Sequence, residues 1–398
     1  MLSNLVPLPK DSILGLAALA RADERVHKID LTVGVYMNEQ GICPVMSAVQ
    51  QAQQSLIQAE VSKAYLPAQG DPTFVREIVG LVLGQDHPAI HEQRTTAIQT
   101  PGGCGALRIA SELIAAANPR AKVWLPSPTW PVHEPLLGSV GLEFQRYSYY
   151  DHAQHGLDFD SMLNDLQGVA EGEAVLLHGC CHNPCGADLS AAQWQTIADL
   201  LLERKAMALI DVAYQGLGDD LETDAVGLRL LARQLPEVLI AASCSKNFGL
   251  YRERTGATIV VTQTPKQTEI VLSQALGAAR RLYSMPPAHG ALIAGRVLAS
   301  QELNELWRAE LTEMTQRIQS LRSQLSQRLS AVTGQDFGFV AHEKGMFSFL
   351  GLTQPQVQVL RDTHAIHMLD SSRINVAGLT DQSLEPLALA IGTVISQC

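Results

Sequence analysis

Between residues 95 and 262, seven short apolar runs alternate with stretches of helical periodicity, and this alternation restricts the chain more than any other feature. The runs are Thr96–Gln99, Lys122–Leu125, Glu143–Tyr147, Ala174–His178, Met207–Asp211, Val238–Ser243 and Ala257–Val261. Gly105–Ala117 follows a Gly-rich turn, and Ser190–Arg204 opens on a Ser cap and carries apolar residues at helical spacing. Strand-length runs separated by helices mean βαβ units and a largely parallel sheet covered on both faces. Ligands of such sheets sit beyond the C-terminal strand ends, and the polar motifs considered below fall just after predicted strands. After Pro286-Pro287 the pattern changes. Leu311, Met314, Ile318, Leu321, Leu325 and Leu329 form one helix stripe with Gly334 as its stop, followed by a strand-like Met346–Leu350, a helix-like Gln354–Thr363 and a strand near Arg373–Gly378. This α+β pattern reads as a second, smaller domain. A chain of 398 residues agrees with that, because single cores stop growing near roughly 250–300 residues.

Asp and Glu number 40 against 29 Lys and Arg, a net charge of −11. An acidic chain without a Lys/Arg cluster lacks the electrostatic footprint for nucleic acid or an anionic membrane surface. No run approaches the length of a membrane span, and Met1–Arg25 lacks the order of a signal peptide. The seven cysteines are scattered and odd in number, which reads as reduced thiols and a cytoplasmic protein.

Four segments carry candidate chemistry. Thr100-Pro-Gly-Gly-Cys-Gly places three glycines between a strand and a helix, where bare amides suit a phosphate; a tight turn with no ligand is the plain alternative. Ser243-Cys-Ser-Lys246, with Arg254 eight residues on, groups a lysine able to act as a nucleophile with two hydroxyls and a guanidinium that suit a phosphate. Ser243-x-x-Lys246 also matches the acyl-enzyme motif of penicillin-recognising proteins, but S-D-N and K-T-G are absent. Asp211 ends an apolar strand with Tyr214 three residues later; the pair suits a cationic ring nitrogen and a ring oxygen, or Asp211 caps the next element. His178-Gly-Cys-Cys-His-Asn-Pro-Cys185 invites a zinc reading. That reading is set aside for want of a C-x2-C pair or a second ligand cluster; an extended strand with Cys180 and Cys181 on opposite faces, leading to Asn183 at the rim, is preferred.

Taken together, these segments resemble the class I aminotransferases of the pyridoxal-phosphate (PLP) type I fold, in the aspartate/aromatic subgroup. The similarity runs from Asp11-Ser-Ile-Leu-Gly-Leu through Gly34-Val-Tyr36, Tyr65-Leu-Pro, Gln99-Thr-Pro-Gly-Gly, Pro128-Thr-Trp130, Asp211-Val-Ala-Tyr-Gln-Gly216, Ser245-Lys-Asn-Phe-Gly-Leu-Tyr251 and Tyr283-Ser-Met-Pro-Pro to Ser372-Arg-Ile-Asn-Val-Ala-Gly378. It implies a mostly parallel seven-stranded sheet in a large PLP-binding domain (44–313), a small α+β domain (12–43 and 314–398), an N-terminal arm (1–11) and a homodimer with shared active sites. In that scheme Lys246 forms the internal aldimine and carries the proton between Cα and C4′. Asp211 pairs with the pyridine nitrogen, Tyr214 and Asn183 bind the ring oxygen, and Trp130 stacks on the ring. Gly103, Cys104, Ser243, Ser245 and Arg254 cradle the phosphate, with Tyr65 reaching the other subunit's cofactor. Arg373 forks onto the substrate α-carboxylate beside Gly34, Trp130 and Asn183 also line the substrate, and Arg280 from the other subunit meets a distal carboxylate. His133 and His178 lie behind Asp211.

The chain departs from the family pattern at Cys104, which replaces a hydroxyl residue, and at Cys185, which replaces the Thr of Asn-Pro-Thr-Gly. Met37, Cys43, Ala64 and Met285 stand where aspartate-specific members carry polar residues. Soft apolar side chains lower the cost of admitting an aromatic ring. The expected activity is therefore ping-pong transamination of Phe, Tyr and Trp with 2-oxoglutarate or oxaloacetate, with Asp and Glu also accepted and amino acid metabolism as the setting; the alternative is an aspartate aminotransferase with dicarboxylate preference.

Overall fold

The computed structural model describes residues 2–7 and 12–397. Of the arm assigned to residues 1–11, residues 1 and 8–11 lie outside the described residues, as does Cys398. The chain divides into two compact units, Pro44–Arg317, and Met1–Cys43 together with Ile318–Cys398. No helix among the described residues is long and apolar enough to cross a membrane.

The larger unit is built on seven strands: β1 (Thr95–Pro101), β2 (Lys122–Ser127), β3 (Glu143–Ser148), β4 (Ala174–His178), β5 (Met207–Val212), β6 (Val238–Ser243) and β7 (Thr255–Val261). Their order is β1-β7-β6-β5-β4-β2-β3. Pairing is parallel from β3 to β6, and β7 runs antiparallel to both β6 and β1. All seven apolar runs are therefore strands, and β4, β6 and β7 are buried along their whole length because helices cover both faces. The register aligns His178 with Asp211 and Asp211 with Ala241. It also sets Ser243 beside Gly256, and Thr255 beside Pro101. The ends of β1, β4, β5 and β6 and the start of β7 thus share one edge.

The helix after β1 spans Gly102–Ala117, so Gly102, Gly103 and Gly105 lie inside its first turns rather than before it. Each costs about 0.5–1 kcal/mol against alanine in a helix. Buried Leu107, Ile109 and Ile114, at about 1.5–3 kcal/mol each, outweigh that cost, so packing on the sheet and not local propensity holds this helix. The helix Ala191–Arg204 starts as expected, with a Ser190 and Gln193 capping box.

The stripe from Leu311 to Leu329 lies on the helix Gln301–Thr333, whose residues from Ile318 onward belong to the smaller unit. Leu321, Leu325 and Leu329 pack with Phe337, Leu360, Ile374 and Ile391 in its core. Strands Phe347–Phe349 and Arg373–Asn375 pair antiparallel. The segment expected as a strand to Gly378 turns into a 3-10 helix at Val376–Gly378.

Candidate active site

The shared strand edge collects most of the residues singled out in the sequence. At the end of β6, Ser243 and Ser245 are buried, and the Ser243 hydroxyl oxygen accepts from the Ser245 amide at 3.2 Å. Arg254 stands in the left-handed region (φ 53). Its Nη1 donates to Ser245 Oγ at 3.4 Å and to the Tyr251 carbonyl at 2.9 Å. Glycine is required opposite these groups. A Cβ on Gly102, itself at φ 68, would lie 2.7 Å from Arg254 Nη2, and one on Gly103 would lie 3.2 Å from Ser243 Cβ. The Gly102–Ala117 helix has no side-chain cap at its N-terminus, which leaves its first amides suited to an anion. Burial pushes the Cys104 thiol up, so it offers a neutral S–H there.

Lys246, half-buried, follows directly. Its Nζ lies 5.1 Å from the ring centroid of Tyr251 and 5.9 Å from that of Tyr214. Asn183 Nδ2 donates to the Tyr214 hydroxyl at 3.4 Å, while Asn183 Oδ1 is buried without a partner. Asp211 accepts from His133 Nε2 at 3.0 Å. Trp130 meets the His133 ring edge-on at 5.3 Å. Thr129, which no sequence motif marks as functional, bridges His133 Nδ1 at 2.8 Å and His178 Nε2 at 3.3 Å. With the His133 Nε2–H donating to Asp211, Nδ1 of the same ring accepts from the Thr129 hydroxyl, and Thr129 in turn accepts from His178 Nε2–H. This chain of hydrogen bonds keeps the Asp211 carboxylate aimed. The only sequence signal for Thr129 was its place in Pro128-Thr-Trp130.

Burial, and then the neighbouring His133, pull His178 down to about 3. The unfolded chain binds a proton near pH 6.5 that the native His178 refuses, so stability is present above that value and falls as pH drops. From pH 7 to pH 5 this one group should remove about 2 kcal/mol. Urea midpoints of wild type and His178→Asn at both pH values check it; an equal loss in the two proteins would contradict it.

The vicinal cysteines differ from expectation. Gly179, Cys180 and Cys181 lie beyond β4 in a bend. Cys181 takes φ 51, so the two thiols do not lie on opposite faces of a strand but converge, with Asp224, within 4.8 Å. Cys185 Sγ is 3.1 Å from His182 Nδ1.

In the smaller unit, Arg373 is 2% exposed. Its Nη2 donates to the Thr32 carbonyl at 2.6 Å, and its guanidinium lies 4.4 Å over the Phe347 ring. A side chain at Gly34 would collide with that same ring. Tyr65 and Arg280 lie outside the Lys246 group. Tyr65 is 89% exposed, Arg280 donates to Ser284, and among the described residues no hydrogen bond ties either of them to that group.

The residues present fit the cofactor that the resemblance implies. A glycine-lined cradle with uncapped amides and Arg254 suits a phosphate, a fixed carboxylate suits a ring nitrogen, and the orphaned Asn183 oxygen faces an incomplete polar shell.

Residues 26–391 match the family model "Aminotransferase class I and II". The aromatic-amino-acid aminotransferase of Pseudomonas aeruginosa is 46% identical over 98% of both chains. The aspartate aminotransferase of Escherichia coli K12 is 44% identical over 99% of this chain and 100% of its own. The solved structure of an aromatic-amino-acid aminotransferase from Burkholderia pseudomallei, covalently bound to pyridoxal phosphate, superposes with a TM-score of 0.96 at 40% identity, covering 99% of each chain. Over nearly its full length and at the sheet edge where its polar residues gather, this chain belongs to the class I and II aminotransferases.

Proposed function

We propose that the chain transfers amino groups from Phe, Tyr and Trp to 2-oxoglutarate or oxaloacetate with pyridoxal phosphate as cofactor, and that it also accepts Asp and Glu. The observation that carries this reading is the grouping at one strand edge of Lys246, the Asp211–His133 pair, the Asn183–Tyr214 pair and a glycine-lined anion cradle. Bound there, pyridoxal phosphate supplies a cationic ring that draws off the electron pair left at substrate Cα. Gly103, Cys104, Ser243, Ser245 and Arg254 hold the phosphate. Asp211, steadied by His133, keeps the ring nitrogen protonated. Tyr214 and Asn183 donate to the ring oxygen, and Trp130 covers the ring. Lys246 Nζ removes and returns the proton at Cα. Arg373, whose planar fork matches two oxygens, binds the α-carboxylate next to the Gly34 backbone.

The aromatic preference rests on Met37, Cys43, Ala64 and Met285, and on the relative from Pseudomonas. Tyr65 and Arg280 are assigned to the neighbouring protomer's site in a homodimer; their exposure, with Val61 and Ile57 also open to solvent, supports this. The cytoplasm is the proposed compartment, in keeping with six described cysteines of which none is joined in a disulfide.

Half-reaction rates with Asp, Phe, Tyr and Trp test the substrate class. Negligible turnover of Phe and Tyr beside Asp would establish the alternative, an aspartate aminotransferase, which the relative from Escherichia coli favours. Arg280→Ala sharpens the test. Truncating one partner of a buried charge pair costs about 2–5 kcal/mol, so kcat/KM for Asp should fall by that barrier while Phe changes far less. Equal losses would mean that ring and carboxylate do not share the pocket.

A further inference from the structure

Outside the site just described, a buried trio joins two thiols to a carboxylate. Cys180, Cys181 and Asp224 are 5%, 1% and 6% exposed, and their ligand atoms all lie within 4.8 Å of one another. Asp224 is held rigidly: Oδ2 accepts from the Gly216 and Gly218 amides at 2.8 and 2.9 Å, and Oδ1 from the Asp219 amide at 2.9 Å. A carboxylate has about four lone-pair sites, so acceptor capacity remains after these three bonds. Asp188 pins the opposite wall by accepting from the Cys181 and His182 amides at 2.6 and 2.8 Å. Gly218 keeps the space between open, since a Cβ there would lie 2.6 Å from Asp224 Oδ1 and 3.1 Å from Cys181 Sγ. The Tyr214 carbonyl oxygen lies 4.0 Å from Cys181 Sγ. The sequence hid this group because its third member comes from a separate segment, the turn Thr223–Ala225.

We propose that Cys180, Cys181 and Asp224 form a binding site for a thiophilic divalent d10 cation, Zn2+ or its congener Cd2+, with the Tyr214 carbonyl as a fourth donor. Two thiolates suit a soft or borderline cation, and the carboxylate turns the choice from Cu+ toward Zn2+ and Cd2+; Mg2+ and Ca2+ ask for oxygen alone. As the ion enters, two S–H bonds break and two S–metal bonds form. Both protons go to solvent, and no oxidation state changes. Tetrahedral zinc sets its ligand atoms roughly 3.3–3.8 Å apart, from metal distances near 2.0–2.3 Å, so the trio, now within 4.8 Å, closes by about 1.5 Å at most. That closure draws on the backbone just before Asn183 and just after Tyr214.

The holoenzyme, stripped of metal with a chelator and titrated with Cd2+, tests the site. We expect one Cd2+ per chain, a thiolate-to-cadmium band in the ultraviolet, and two sulfur neighbours by X-ray absorption. Cys180→Ser/Cys181→Ser should lose the ion and the band, while Cys43→Ser keeps both. Should the double variant fold poorly, the sulfur count on the wild-type protein decides alone. Fewer than two sulfur neighbours, or a band that survives in the folded double variant, overturns the proposal.

Discussion

Lys246→Ala should lower kcat for transamination by roughly four orders of magnitude, the upper range for removing a positioned proton carrier, while the protein still retains cofactor through dialysis. The lysine is the amine at the strand edge that stands over the Tyr214 and Tyr251 rings. The cradle that would keep the cofactor, built from Gly103, Ser243, Ser245 and Arg254, does not depend on it. Activity and retention should therefore separate. Near-normal turnover would remove Lys246 from the mechanism, and loss of cofactor together with activity would show that the cradle alone is too weak.

Asp211→Asn is the second large effect. The amide still accepts from His133 Nε2, so the geometry survives, but the negative charge that favours a protonated ring nitrogen is gone. Removing one preorganised electrostatic partner costs roughly 10²–10³ in kcat, and loss of a full charge belongs at the upper end. A larger isotope effect with Cα-deuterated substrate should accompany the loss, because proton removal becomes the slow step. Asp211→Glu keeps the charge on a longer arm and should be milder. Equal rates for wild type and Asn would reduce Asp211 to a structural role.

Periodicity made the scaffold legible. Each apolar run between residues 95 and 262 is a strand, and the capped helix after Ser190 is where the pattern puts it. The direction of β7 was less so, since the apolar run Ala257–Val261 reads alike in either sense; only the short Cys244–Arg254 link, with no crossover helix, shows that the chain doubles back. The glycines of Thr100–Gly105 read as a break because propensity disfavours them in helices, whereas burial of the helix face overrides it. Thr129 and Asp224 escaped notice for another reason. Their roles depend on partners brought close by tertiary folding, His133 and His178 for the one and Cys181 for the other. Strand alternation does not carry past His178, because Cys181 has a left-handed backbone that turns the two thiols together.

The reversed β7 also bears on the order in which the protein assembles. β6 and β7 are joined by one short link, so their pairing closes a small loop at little cost in chain entropy. Ser243, Ser245, Lys246 and Arg254 all lie on or beside that hairpin and are neighbours as soon as it forms. Gly103 and Cys104 come from far upstream and arrive only when β1 docks along the other side of β7. In refolding, then, phosphate affinity should appear late, as β1 joins, and the moment at which cofactor is captured times the completion of the sheet.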